Sequence, residues 1–202
     1  MINMDNQQIF LRELTHEDVT ESYLNWFKNN EVTSFLEVDG KSLTKKMVED
    51  YIDEGIKTGS YYMFAICINE NKKHIGNLKV GPINYKHKIA DLVCVIGDRG
   101  YWGKGLATEA IALGNKLAFE KYDIRKLHGQ IYADNIGSIK AYCKAGWIIE
   151  GVIKDRYLVN DVPMDQILVS CHNPTYFNPS GQTNYSLESA KKMIEFRETF
   201  RK

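Results

Sequence analysis

The stretch from Ile89 to Glu109, I-A-D-L-V-C-V-I-G-D-R-G-Y-W-G-K-G-L-A-T-E, constrains this chain more than any other. Its first eight residues are apolar except for Asp91, and Val93, Val95 and Ile96 are β-branched. They read as a strand buried on both faces. The run breaks at Gly97-Asp98-Arg99-Gly100, a turn signal. Small residues follow at alternate positions, Gly103, Gly105 and Ala107. A helix starts at once, with Leu106, Ala110, Leu113, Gly114 and Leu117 on one face. A strand, a small-residue turn and a helix N-terminus form an arrangement that holds a phosphate. The first helical N–H groups have no partner within the chain, and the helix dipole there favours an anion. Small side chains let a bulky diphosphate reach the backbone.

Spacing excludes two well-known phosphate loops. A Walker loop requires G-x-x-x-x-G-K-S/T. Gly97 lies one residue too far back, and Gly105 stands where the hydroxyl residue belongs. A dinucleotide loop requires G-x-G-x-x-G. Gly103 and Gly105 fit, but the third site is Thr108. The form W-G-K-G-L-A-T-E-A instead resembles the acetyl-coenzyme A pyrophosphate loop of the GNAT superfamily of N-acetyltransferases, written Q/R-x-x-G-x-G/A. Gly105 and Ala107 match its last two fixed sites. Trp102 departs from the first. Aromatic residues there are tolerated in the branch that includes ribosomal-protein N-terminal and spermidine acetyltransferases.

A second segment carries the same resemblance. Ala133 to Trp147, A-D-N-I-G-S-I-K-A-Y-C-K-A-G-W, is similar to the GNAT pattern N-x-x-S/A-x-x-x-Y-x-x-x-G-F/W, with Asn135, Ser138, Tyr142, Gly146 and Trp147 in register.

The remaining sequence is read from periodicity and turn signals. Gln8 to Leu14 alternates as a strand. Thr15 is placed to cap a helix carrying Val19, Tyr23, Trp26 and Phe27, with Asp18 three residues on. Glu31 to Leu43 is irregular. A second helix runs from about Thr44 to Lys57, with Met47, Val48, Tyr51, Ile52 and Ile56 inward and Gly59 past its end. Tyr62 to Ile68 and His74 to Val80 form a hairpin around Asn69 to Lys72, and Gly81-Pro82 begins a loop. Lys126 to Tyr132 is a strand. A short helix opens at Asp134-Asn135, with Ile136, Ile139 and Cys143 inward. Trp147 to Ile153 and Met164 to Cys171 are the last two strands. The order β-α-α-β-β-β-α-β-α-β-β is a mixed α/β pattern. It is also the element order of the GNAT fold, a central mixed twisted sheet of about seven strands flanked by helices. Residues 1–172 are expected as one domain. Residues 173–202 are expected as a Pro/Asn/Ser/Gly linker and an extra C-terminal helix, Leu187 to about Arg201.

Composition narrows the function. The chain has 202 residues, 44% of them hydrophobic, enough for a real core. Its 26 basic and 26 acidic residues cancel, which gives no electrostatic case for nucleic acid or an anionic membrane. No N-terminal targeting signal and no apolar run of spanning length is seen, so a cytoplasmic protein is expected. Cys67, Cys94, Cys143 and Cys171 are widely spaced without C-x-x-C. They are expected as reduced thiols, and no metal is expected.

The resemblance implies an acetyl-coenzyme A-dependent N-acetyltransferase with direct transfer to a primary amine and no metal. The alternative is a non-catalytic coenzyme A-binding module. Acetyl-coenzyme A is expected along Val95, Ile96, Gly97, Trp102, Gly103, Lys104, Gly105, Leu106, Ala107 and Thr108, with Asn135 and Ser138 on its arm and the oxyanion held by a backbone N–H near Val95. Tyr142 is the implied acid for the departing thiolate; packing at a helix edge is its bland alternative. Asp91 is the candidate base, because a buried carboxylate has its pKa raised. It could instead face solvent or pair with Lys88 or Arg125, and His128 is a rival base. Glu31, Glu37 and Asp39 are expected to bind the acceptor, since acids suit a cationic amine. A protein N-terminus, a polyamine or aminoglycoside and an amino sugar remain open as acceptors, as does monomer or homodimer.

Overall fold

The computed structural model describes residues 7–176. Its strands are β1 (Ile9–Glu13), β2 (Tyr62–Ile68), β3 (His74–Asn84), β4 (Ile89–Ile96), β5 (Lys126–Tyr132), β6 (Ile148–Val159) and β7 (Val162–His172). Its α-helices are α1 (Glu21–Lys28), α2 (Asn30–Thr33), α3 (Lys45–Thr58), α4 (Leu106–Lys121) and α5 (Ile136–Lys144). The seven strands form one mixed sheet in the order β1-β2-β3-β4-β5-β7-β6. Only the β4–β5 pair is parallel, because a whole helix, α4, crosses between them. The expected C-terminal helix lies outside the described residues. Asn173 to Tyr176, expected as the start of a linker, are docked. Asn173 donates from Nδ2 to the Ile124 carbonyl at 2.9 Å, and the Tyr176 hydroxyl donates to Asp123 at 2.5 Å.

Alternation along β4 gives it two different faces. Ala90, Leu92 and Ile96 are buried with Leu106, Ala110 and Ile111 of α4. Asp91, Val93 and Val95 point the other way, and Val93 remains 37% exposed. The expected burial on both faces is therefore corrected. The helices of the second side seal a smaller cluster over β1 and β2, built from Val19, Tyr23, Val48, Ile52, Ala65 and Cys67. That cluster stops short of β4 and β5, and their second face stays accessible.

Local departures have local causes. The first expected helix is split. Thr15 and Asp18 form the anticipated capping box, but it closes a 3-10 turn, and Thr20 caps α1. Asp18 is drawn back to Arg12, with Nη2 to Oδ1 at 2.5 Å. Burial would raise the Asp18 pKa, yet the Arg12 guanidinium and the Thr15 N–H hold it down at about 2. Helix α3 buries the narrower stripe Val48, Ile52 and Gly55, leaving the expected Met47, Tyr51 and Ile56 outside. Strand β3 runs on through Gly81-Pro82 to Asn84 by shifting register between Val80 and Ile83. Helix α5 buries Ala141 and Tyr142, which turns Ile136 and Cys143 outward.

Candidate active site

The site starts where two strands part. The β4–β5 ladder holds Ile89, Ala90 and Asp91 opposite Lys126, Leu127 and His128, and then ends. Beyond it, β4 keeps its pairing with β3 on one edge and faces a gap on the other. The Leu92 carbonyl accepts the Tyr142 hydroxyl at 2.7 Å, and the Ile96 carbonyl accepts Trp102 Nε1 at 2.7 Å. The Gly97 N–H donates the opposite way, to Ile75 of β3. Strand alternation then turns the backbone groups of Leu92, Cys94 and Ile96 to the gap and those of Val93 and Val95 to β3. The N–H groups near Val95 that face the gap are those of Cys94 and Ile96.

A cleft of about 460 Å³ opens along the gap, between the end of β4, the start of α4, α5 and the segment after α1. Such a volume suits a small-molecule ligand. Val95, Ile96, Trp102, Gly103, Gly105, Leu106, Ala107, Thr108, Asn135, Ser138 and Tyr142 line it. Gly103 and Gly105 have φ of 74° and 78°, and a Cβ on either would meet nothing within 4 Å. The loop is therefore an open cradle in a backbone conformation that glycine adopts without strain. Gly105 is also the N-cap of α4 and has no side chain to bond the first N–H groups. Those groups and the dipole remain directed at the cleft, which fits a diphosphate. Lys140 and Lys144 line it from α5. Sequence reasoning missed both; their i, i+4 spacing beside Tyr142 was the available signal.

Gly97 and Lys104 do not line the cleft. A Cβ at Gly97 would lie 2.4 Å from the Trp26 indole, so that glycine exists to let α1 pack on the end of β4. Lys104 places its ammonium 5.0 Å from the Tyr101 ring centre. Trp102 is 41% exposed, in the role of a cover rather than a core residue.

Tyr142 is only 5% exposed and packs edge-on to Trp147, with ring centres 4.8 Å apart. Burial raises its pKa, and Cys94 and Asp91 add to the shift. The hydroxyl is therefore held as a donor at neutral pH. It takes up the Leu92 carbonyl, a backbone group that β5 leaves unpaired. Asn135 accepts the Ser138 N–H at 3.1 Å as the N-cap of α5, and both residues line the cleft. Cys94 lines it too, but burial pushes its thiol up to about 12. A neutral thiol is a poor nucleophile.

The three acids expected to cluster are dispersed. Glu31 lines the cleft and pairs with Arg99 at 2.5 Å. Asp39 is exposed and accepts the Lys41 N–H within its own turn, away from the gap. Glu37 accepts the Tyr132 hydroxyl at 2.5 Å, at the outer end of β5. Tyr132 stacks on Tyr157 with ring centres 3.8 Å apart, and Phe35 packs against it at 5.7 Å. This aromatic group escaped the sequence reading, because its members are far apart in the chain. Asp91 is not desolvated in isolation, as its proposed role required. Its Oδ1 lies 2.8 Å from His128 Nδ1, and the two side chains are 30% and 35% exposed.

Residues 8–148 match the family model described as an acetyltransferase (GNAT) domain. The chain belongs to the GNAT acetyltransferase family. The Escherichia coli (strain K12) spermidine N(1)-acetyltransferase is 28% identical over 152 residues, covering 74% of this chain and 78% of that protein. The fold matches a Vibrio cholerae spermidine N-acetyltransferase in complex with CoA and spermine, with TM-score 0.76, 22% identity and coverage of 86% of this chain and 100% of that one. It also matches a Vibrio fischeri ribosomal-protein-S5-alanine acetyltransferase, with TM-score 0.73, 18% identity and coverage of 85% and 97%. As a GNAT enzyme the chain moves an acetyl group from acetyl-coenzyme A to an amine. Among the described residues no group of three His, Cys, Asp or Glu side chains could hold a metal ion, and no helix is long and apolar enough to cross a membrane.

Proposed function

We propose that this enzyme acetylates a small polycationic amine of the polyamine class. The observation that carries the reading is Glu37 bonded to Tyr132 beside the Tyr132–Tyr157 stack, on the accessible face of β5. A carboxylate set among ring faces and edges suits an alkylammonium better than a sugar hydroxyl array or a peptide backbone. Gln130 lies on the same face and is exposed. From Gln130 to Tyr132 is about 6.6 Å along the strand. That is close to the separation of neighbouring nitrogens in an aliphatic polyamine. One ammonium rests near Glu37, and the next nitrogen reaches the gap at the level of Leu92 to Cys94.

In this scheme the N–H groups of Gly105 to Thr108 hold the diphosphate, with Lys140 and Lys144 adding positive charge. The thioester reaches the gap from the α4 side, and the amine enters from the opposite face. The nitrogen attacks the carbonyl carbon, and the Cys94 or Ile96 N–H stabilises the oxyanion. The carbon–sulfur bond breaks, and Tyr142 donates a proton to the thiolate. Cytoplasmic residence fits this chemistry.

A panel of polyamines, an alanine-terminated peptide and an amino sugar, read by thiol release, tests the acceptor class. Polyamines are expected to give the highest kcat/KM. In Glu37→Gln, Tyr132 keeps an oxygen to bond while the acceptor loses an anion. The polyamine KM should rise about tenfold, the usual worth of one charge-assisted bond, with kcat nearly unchanged. A panel led by the peptide, or an unchanged polyamine KM in Glu37→Gln, contradicts the assignment.

A further inference from the structure

We propose that the proton acceptor of this reaction is His128, and that Asp91 is a positioning residue that orients its ring. The inference rests on the acetyl-transfer reading above and goes beyond it by naming the base. The two residues face each other on the last rung of the β4–β5 ladder, where the strands begin to part. Even-numbered residues of β5 and odd-numbered residues of β4 share the accessible face, so both side chains stand on the side from which the amine enters. Asp91 Oδ1 meets His128 Nδ1 at 2.8 Å. That contact favours the tautomer with the proton on Nδ1, facing the carboxylate, and leaves Nε2 as an acceptor. At 35% exposure the His128 side chain is reachable by an amine or by one intervening water. The next residue after Asp91 is Leu92, whose carbonyl holds the Tyr142 hydroxyl. Base and acid therefore flank the parting point of the strands, one on each side of the sheet.

Asp91 is less suited to be the base. Its near oxygen is engaged by the imidazole, and removing a proton from an ammonium would then break the pair. His128 takes the proton while the pair becomes an ion pair. The balance is as follows. An alkylammonium gives one proton to His128 Nε2, and the free amine forms the carbon–nitrogen bond. Collapse of the tetrahedral adduct breaks the carbon–sulfur bond, and the thiolate receives the Tyr142 proton. The second nitrogen-bound proton restores the phenol. The other charged groups on this face are Lys126, tied to Glu150 at 2.5 Å, His172 opposite Lys126, and Lys79 on β3 beside Val93.

The test uses the full chain with acetyl-coenzyme A and the best amine from the panel. His128→Ala should lower kcat/KM at least 10²-fold. Added imidazole should restore activity in His128→Ala in proportion to its free-base concentration. Asp91→Asn should lose about tenfold and gain nothing from imidazole. Thermal melts of both variants report folding. A His128→Ala protein that keeps more than a third of wild-type kcat/KM overturns the proposal. So does a folded, impaired His128→Ala protein that imidazole does not restore. A wild-type protein inactive with every amine overturns the transfer reading as well, so the two failures are separable.

Discussion

Tyr142→Phe is expected to lower turnover roughly 10²- to 10⁴-fold, the usual span for one positioned acid. The variant keeps the ring, its edge contact with Trp147 and its place in the cleft. It removes the only side-chain hydroxyl that bonds the Leu92 carbonyl among the described residues. Two consequences follow, and they are separable. The Leu92 carbonyl loses a buried partner, which should cost about 1–3 kcal/mol of stability, visible as an earlier denaturant midpoint. The chemical step loses its donor, which should appear in kcat with little change in either Michaelis constant. The raised pKa of this phenol does not argue against the role, because the same dry surroundings also disfavour the thiolate. Turnover above about a third of wild type, with chemistry limiting and stability reduced as described, would make Tyr142 a strand filler and water the acid.

Gly105→Asn should raise the dissociation constant for coenzyme A at least thirtyfold while the fold persists. Valine, the bulkier replacement, is a poor test, since a β-branched residue at φ 78° strains the loop by itself. Asparagine tolerates the left-handed conformation, and its side chain would enter the open space above the loop. A diphosphate seated on the backbone there would be displaced by atoms, not by misfolding. Calorimetry on the folded variant gives the answer. Unchanged affinity would remove the diphosphate from this loop.

Much of this is legible in the sequence. The Ile89–Glu109 stretch and the Ala133–Trp147 segment each carry a local rule: small residues before a helix, and a fixed spacing around Tyr142. Local rules survive folding, and eleven of the thirteen positions named for the coenzyme and the acid line the cleft. The other two are Lys104, which lies against Tyr101, and Gly97, which a tertiary contact with Trp26 accounts for; spacing encodes neither. The same limit hid the acceptor side. Phe35, Tyr132 and Tyr157 come from three separate regions, and the last two lie on strands with β7 between them, so only the strand order and their side chains reaching across β7 bring the rings together. Asp91 was noticed as an isolated carboxylate in an apolar run. Its partner was invisible, because pairing with His128 depends on which strand lies next to β4. The acids at Glu31, Glu37 and Asp39 are neighbours in sequence, but backbone turns send them to three different places.

The central claim is direct transfer between two ligands bound together on opposite sides of the parting strands. Initial rates measured while acetyl-coenzyme A and a polyamine are varied together test it most directly, with thiol and acetylated amine counted in the same samples. The account predicts one thiol per acetylated amine and double-reciprocal lines that intersect, since both ligands must be present before the carbon–sulfur bond breaks. Parallel lines with an acetylated cysteine on the protein would mean that Cys94, despite a thiol pushed up to about 12, carries the acetyl group, and would contradict it.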